Sequence, residues 1–208
     1  MATSRPTTKR RLDYELIEAL VPQGARVLDL GCGDGQLLAA LMERKGCLGR
    51  GIEINEQAAR ECIQRGVPVY HGDMSEGMGF YQDGAFDLVI LSQTLQQTAD
   101  PVRVIHEMLR VGRAAIISFP NFGWWLTRLQ LVFTGRMPRH RLLPYTWYNT
   151  PNVHLCTVAD FRELCAQEGL EILQEVFVAP PAKRVGRFLA SWRAGLAIFE
   201  VRKKEAAP

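Results

Sequence analysis

The 208-residue sequence has no C-x-x-C pair, and its cysteines are odd in number: Cys32, Cys47, Cys62, Cys156 and Cys165. This argues against a disulfide framework and against a zinc site, and it suits a reducing compartment, so a cytoplasmic location without a bound metal is expected. A run long enough to cross a bilayer, about 20 apolar residues, is also missing. The longest candidate outside the expected strands and helices, Trp124 to Phe133 (WWLTRLQLVF), is too short and carries Arg128, so no membrane association is expected. The N-terminal basic cluster of Arg5, Lys9, Arg10 and Arg11 lacks the apolar segment of a secretory signal and reads as a flexible, solvated tail over residues 1–10. The formal net charge is only +3, well short of the basic stripe of a nucleic-acid binder, so no nucleic acid is expected as partner. No repeat, low-complexity tract or linker divides the chain, and one domain over residues 1–208 follows.

What is present is a globular composition, 47% hydrophobic and 9% aromatic. Leu12 to Leu20 has roughly helical apolar spacing and ends at Pro22 and Gly24. Ala25 to Leu30 reads as a buried strand, and a glycine-rich turn leads into a helix over Gln36 to Arg44. The unit repeats, with a strand over Cys47 to Ile54, a helix over Asn55 to Gln64 capped by Asn55, and a third strand over Val67 to His71. Phe86 to Leu91 and Ala114 to Phe119 are further strands, separated by a helix that opens on Pro101. Thr157 to Gln167 reads as a helix with Thr157 and Asp160 as a capping box, followed by strands over Leu170 to Val178 and Gly195 to Val201. Strands alternating with amphipathic helices predict an α/β Rossmann-like fold, a mainly parallel sheet with helices on both faces. The link between the last two strands offers too little helix for a parallel crossover, so the last strand is predicted to pair antiparallel.

The turn after the first strand reads Gly31-Cys32-Gly33-Asp34-Gly35. The dinucleotide fingerprint G-x-G-x-x-G would need glycine at position 36, which is Gln36, and no Gly-Lys-Ser/Thr follows to cradle a triphosphate. The glycines still allow positive φ and let a carboxylate or phosphate approach the N–H groups that open the next helix. Glu53 falls at the C-terminal end of the second strand, where a carboxylate can accept from a ribose hydroxyl pair. Asp73 and Met74 follow the third strand, where an acid can accept from an adenine amino group and a thioether can pack on the ring. A helix cap or a solvated turn would equally account for either acid. All these features lie on the edge where open α/β sheets bind ligands.

Val27 to Gly35 (VLDLGCGDG), then Glu53, Asp73 and Ala85 to Ile90 (AFDLVI), resemble the successive motifs of the class I S-adenosylmethionine-dependent methyltransferases over nearly the whole chain. The resemblance implies a seven-stranded sheet with an antiparallel last strand and bound S-adenosylmethionine (SAM) or S-adenosylhomocysteine. It implies Gly31, Cys32, Gly33 and Gly35 against the methionyl part, Glu53 on the ribose, Asp73 and Met74 at the adenine, and Ser92 beside the cofactor. Asp29 would orient the glycine loop or reach the amino group, and Cys32 needs no reactive role. Closer still, Leu91 to Gln97 (LSQTLQQ), Phe119 to Gly123 (FPNFG) and Trp147 to Thr157 (WYNTPNVHLCT) resemble the bacterial methionine-biosynthesis proteins of the MetW family. This implies work beside a homoserine O-acyltransferase, as a partner needed for that step, with no methyl acceptor implied.

An active methyltransferase acting on a small-molecule acceptor is the alternative. Methyl transfer asks for little beyond in-line approach, which can supply roughly 7–11 kcal/mol of the barrier, so no catalytic residue is assigned. Among candidate bases, His106 reads as a surface residue, His140 as part of a solvated basic loop, and His154 as the one worth testing, though a loop-fixing hydrogen bond explains it as well. Residues 121–156 form an insertion after the fifth strand that places Trp124, Trp125, Phe133, Tyr145, Trp147 and Tyr148 among Arg128, Arg136, Arg139 and Arg141. It reads as a lid over an acceptor pocket, a docking surface for another protein or, last, a platform for stacked bases, with part of the aromatics simply packing it onto the sheet.

Overall fold

In the computed structural model, which describes residues 12–181 and 183–204, the strands form one sheet flanked by helices. The expected tail over residues 1–10 lies outside the described residues. In chain order the elements are α1 (Leu12–Leu20), β1 (Arg26–Leu30), α2 (Gln36–Lys45), β2 (Leu48–Glu53), α3 (Glu56–Gln64), β3 (Val69–His71), α4 (Met74–Gly79) and β4 (Phe86–Ser92). A 3-10 turn (Leu95–Gln97) leads to α5 (Pro101–Val111), β5 (Gly112–Pro120), α6 (Trp125–Thr134) and α7 (Val158–Gln167). The chain continues through β6 (Leu170–Ala179), β7 (Lys183–Val185), α8 (Ala190–Arg193) and β8 (Leu196–Lys203).

The strand order is β3-β2-β1-β4-β5-β8-β6-β7. β1 to β5 run parallel, and β8 lies antiparallel between β5 and β6. The chain leaves β1 toward β2 and β3, then returns to place β4 on the other side, so the strand order reverses between β1 and β4 and opens a crevice at their C-terminal ends.

Alternate residues of the inner strands feed two cores, one on each face. Leu28, Leu30, Val89, Leu91 and Ile117 pack with α5 and α7, while Val27, Leu88, Ile90 and Ile116 pack with α1 and α2. Burial on both faces explains why these strands are almost continuously apolar. The helix starts follow local chemistry. Asn55 Oδ1 accepts the Ala58 N–H at 3.0 Å, and Asp100 caps α5 with Pro101 in its first turn. Thr157 and Asp160 form the reciprocal capping box.

The sheet has eight strands rather than seven, because the short β7 adds to the end of β6. Two helices lie where none is expected from the sequence. In α4, Gly77 replaces a core side chain, since a Cβ there would meet Ile52 Cδ1 at 2.7 Å. The other, α6, lies inside the insertion. No helix among the described residues is long and apolar enough to cross a membrane.

Candidate functional site

The glycine turn bridges β1 and α2 at the C-terminal edge. Gly31, Gly33 and Gly35 all have positive φ, at 66°, 60° and 76°, a region L side chains enter only at a cost. The Gly31 and Cys32 N–H groups continue onto the Ile52 carbonyl of β2 at 2.8 and 3.2 Å. Gly35 opens α2 without a side-chain cap, so only Asp34, through a 3.3 Å bond from the Gln36 N–H, competes for the amides of its first turn.

Glu53 faces this turn. Its Oε2 accepts the Gly33 N–H at 2.7 Å and its Oε1 the Asn55 N–H at 2.9 Å, in a side chain only 8% exposed. Each oxygen keeps a further lone pair, since a carboxylate accepts at about four positions. Below the turn, Cys32 and Cys62 bring their sulfurs to 3.7 Å, and the Cys62 thiol donates to the Gly33 carbonyl at 3.1 Å. Contact with Cys62, with burial second, holds the Cys32 thiol far above the ordinary range, which keeps it un-ionised and unreactive. From the end of α3, Arg65 donates to the Asp34 carbonyl at 2.8 Å and to its carboxylate at 3.0 Å, so the turn is anchored from both sides.

Asp29 is buried at the end of β1. Asp73 is exposed and caps α4, accepting the Ser75 N–H at 2.8 Å on Oδ1, and Met74 is half-buried against the core. Ser92, at the end of β4, donates to Asp13 Oδ2 at 3.1 Å and receives the Ser118 hydroxyl at 3.3 Å. All nine candidate residues thus lie at or just beyond the C-terminal ends of β1 to β4.

Several groups at this edge are not among the candidate site residues read from the sequence. Gln93 takes φ +52°, an uncommon conformation for a non-glycine residue that concentrates at functional sites. It is held by its N–H to the Ser118 carbonyl at 2.9 Å and by its side chain to Asp13 at 2.7 Å. Asp13, buried, arrives from α1 by tertiary packing alone. Thr94 packs against Gly31, where a Cβ would meet Thr94 Oγ1 at 3.1 Å.

The histidines divide differently from expectation. His106 bridges α5 to Glu168 at 2.7 Å. His140 does not belong to a solvated loop: it bonds Thr127 Oγ1 at 2.9 Å, packs edge-on to Trp124, and burial lowers its pKa. His154 is exposed and holds the Ala99 carbonyl at 3.4 Å, the loop-fixing contact. In the insertion Trp124 is buried, whereas Phe133, Trp147 and Tyr148 are exposed.

Comparison with known proteins extends this geometry. The sequence pattern of the family described as methionine biosynthesis protein MetW matches residues 11–201. A bifunctional methionine biosynthesis protein MetXA/MetW of Rhodopirellula baltica is 41% identical over 175 residues, which are 80% of this chain and 28% of that protein. A ubiquinone biosynthesis O-methyltransferase of Ralstonia nicotianae is 34% identical over 101 residues, 46% of this chain and 41% of that one. The chain therefore spans less than half the length of either relative. A SAM-dependent methyltransferase structure from Mesorhizobium loti superposes with a TM-score of 0.67 at 16% identity, covering 92% of this chain and 98% of its own. That likeness establishes the fold.

Proposed function

The chain belongs to the MetW family of methionine biosynthesis proteins, and on that premise we propose that it is a SAM-binding protein that associates with a homoserine O-acyltransferase and supports its activity. The observation that carries the reading is the Rhodopirellula baltica relative, a single bifunctional chain named for both MetXA and MetW. We take the MetXA part as the acyltransferase. Two activities kept in one polypeptide raise each other's effective concentration, and a separate chain of the same kind would achieve this by association.

The residues at the sheet edge fit SAM. The glycines at 31, 33 and 35 leave the turn without side chains and with positive φ, and the start of α2 offers N–H groups for the methionyl carboxylate. Cys32 completes the floor of this turn. Glu53 would accept the two ribose hydroxyls on the lone pairs that Gly33 and Asn55 leave open. Asp73 has Oδ2 available for the adenine amino group, with Met74 against the ring, while Asp29 and Ser92 close the site between β1 and β4. When bound, SAM supplies an electrophilic methyl group. This chain's own residues bind and orient it, and Asp13 accepts from Ser92 and Gln93, which fixes both side chains beside the cofactor position.

Co-purification with the acyltransferase, and its acylation rate with and without this chain, test the association; no complex and an unchanged rate would remove it. Calorimetry with SAM tests the ligand. Glu53→Ala should weaken SAM binding by roughly a hundredfold, the loss of two charge-assisted hydrogen bonds. Wild-type affinity in that variant would mean that Glu53 only clamps the turn. Release of S-adenosylhomocysteine in the presence of a small-molecule acceptor would favour a methyltransferase instead.

A further inference from the structure

Helix α6 is turned the wrong way round for a helix of a globular protein. Such helices bury an apolar stripe and expose a polar one, yet here the polar Thr127 is buried against His140 and Gln130 holds its Oε1 inside. Trp125, Leu129, Val132 and Phe133 recur at i, i+4, i+7 and i+8 along the opposite stripe, with Val132 75% and Phe133 79% exposed. The surface continues onto the turn before β8. The Arg128 guanidinium lies 5.3 Å from the ring centre of Trp192, and Asn121 donates to the Ser191 and Ala194 carbonyls at 2.9 and 2.6 Å, so α6 and α8 are neighbours. On that turn Phe188 is 78% exposed, and Leu189 takes φ +52°, a strained conformation for a branched residue of the kind found at binding clamps.

The stretches of chain that form this surface are basic, although Glu175 of β6 pairs with Arg187. No Asp or Glu occurs from Met108 to Ala159 or from Val176 to Phe199, while Arg128, Arg136, Arg139, Arg141, Arg187 and Arg193 fall within those stretches. Aromatic residues with arginine, and almost no lysine, are the composition of protein–protein hot spots. A two-fold pairing of this face with itself would set arginine against arginine, which disfavours a second copy. Aliphatic Leu131 and Val132 give bases nothing to stack on.

We propose that the outward stripe of α6 together with Phe188, Leu189 and Trp192 is the docking surface for the acyltransferase, inserting as a helix into an apolar groove rimmed with carboxylates on that partner. The inference rests on the partner reading above and names the surface it uses. The two parts of the chain's work use different elements: the ligand edge lies over β1 to β4, while docking uses α6 after β5 and the turn before β8.

The test uses the full chain, its Val132→Glu and Phe133→Asp variants, and Ile63→Ser on exposed α3 as control. Binding to the acyltransferase is measured by calorimetry, with thermal melting and SAM affinity as fold controls. Loss of at least a hundredfold in affinity in both surface variants, with unchanged melting, unchanged SAM binding and an unaffected control, supports the proposal. Undiminished binding in both variants overturns the surface and leaves the partner reading intact. If the wild type does not bind the acyltransferase, the partner reading fails first, and the docking proposal with it. Sedimentation and anionic phosphatidylglycerol vesicles then assign the face: self-association or vesicle binding that Phe133→Asp abolishes gives it to a second copy or to a membrane surface.

Discussion

Gly35 shows how much one missing carbon decides. Its φ is 76°, and a methyl group placed on its Cα would come within 2.9 Å of Cys62 Sγ, which leaves no room for alanine. Gly46 has a similar φ of 62° but open space around it. Gly46→Ala should therefore cost only the conformational term, about 1 kcal/mol, and leave SAM binding alone. Gly35→Ala should cost at least about 2 kcal/mol, because the Cys62 backbone also lies at 3.3 Å, and should weaken SAM binding as the turn shifts. Chemical denaturation with calorimetry on both variants checks the contrast. A second residue-scale effect concerns acid. Arg26 bonds Asp87 from its guanidinium and its N–H, which lowers the Asp87 pKa to about 2. The unfolded carboxyl protonates near pH 4, so the stability this pair adds is whole above that value and is lost as pH falls toward 2. Both side chains are more than a third exposed, near enough to the surface for solvent screening to keep the effect small. Asp87→Asn should flatten the acid limb of the stability curve between pH 4 and 2; an unchanged limb would show that other carboxylates set it. The sequence displays Gly35 and Asp87 but not what they touch, since Cys62 and Arg26 come close only in the fold.

Between elements, Asn121 is the hinge-pin. It is buried at the end of β5, donates to Ser191 and Ala194 before β8, and accepts the N–H groups of Gly123 and Val158 at 3.0 and 3.2 Å. One amide thus ties β5 to α7 and α8. Asn121→Leu would strand two carbonyls and two N–H groups, each costing about 1–3 kcal/mol when buried, and should destabilise the protein by more than about 3 kcal/mol in urea denaturation. Retained stability would mean that water or a local shift replaces the bonds. Helix starts at Asn55, Pro101 and Thr157 are legible in the sequence because caps act within one turn of the chain. The helices α4 and α6 are not, because Gly77 is placed by contact with Ile52 and the stripe of α6 faces away from its own core.

At the scale of the whole molecule, the proposed SAM edge and the outward helix belong to one chain, an arrangement that would let SAM act as a signal. If bound SAM reports methionine supply, its affinity must differ between the free chain and the complex with the acyltransferase. A tenfold difference corresponds to about 1.4 kcal/mol of coupling, and titrations of both species should show at least that. Equal dissociation constants would remove the signal, because a ligand indifferent to two states shifts nothing.

The amino-acid sequence by itself determined the α/β alternation, the antiparallel last strand, the caps and the glycine turn with its downstream acids, since all of these depend on residue type and local spacing. Tertiary structure alone decided that Glu53 clamps Gly33, that Asp13 reaches Ser92 and Gln93, that His140 is half-buried against α6, and that an apolar stripe faces outward. Those facts depend on which distant segments pack together and which face each element turns to the core, and neither is a property of any short stretch of chain.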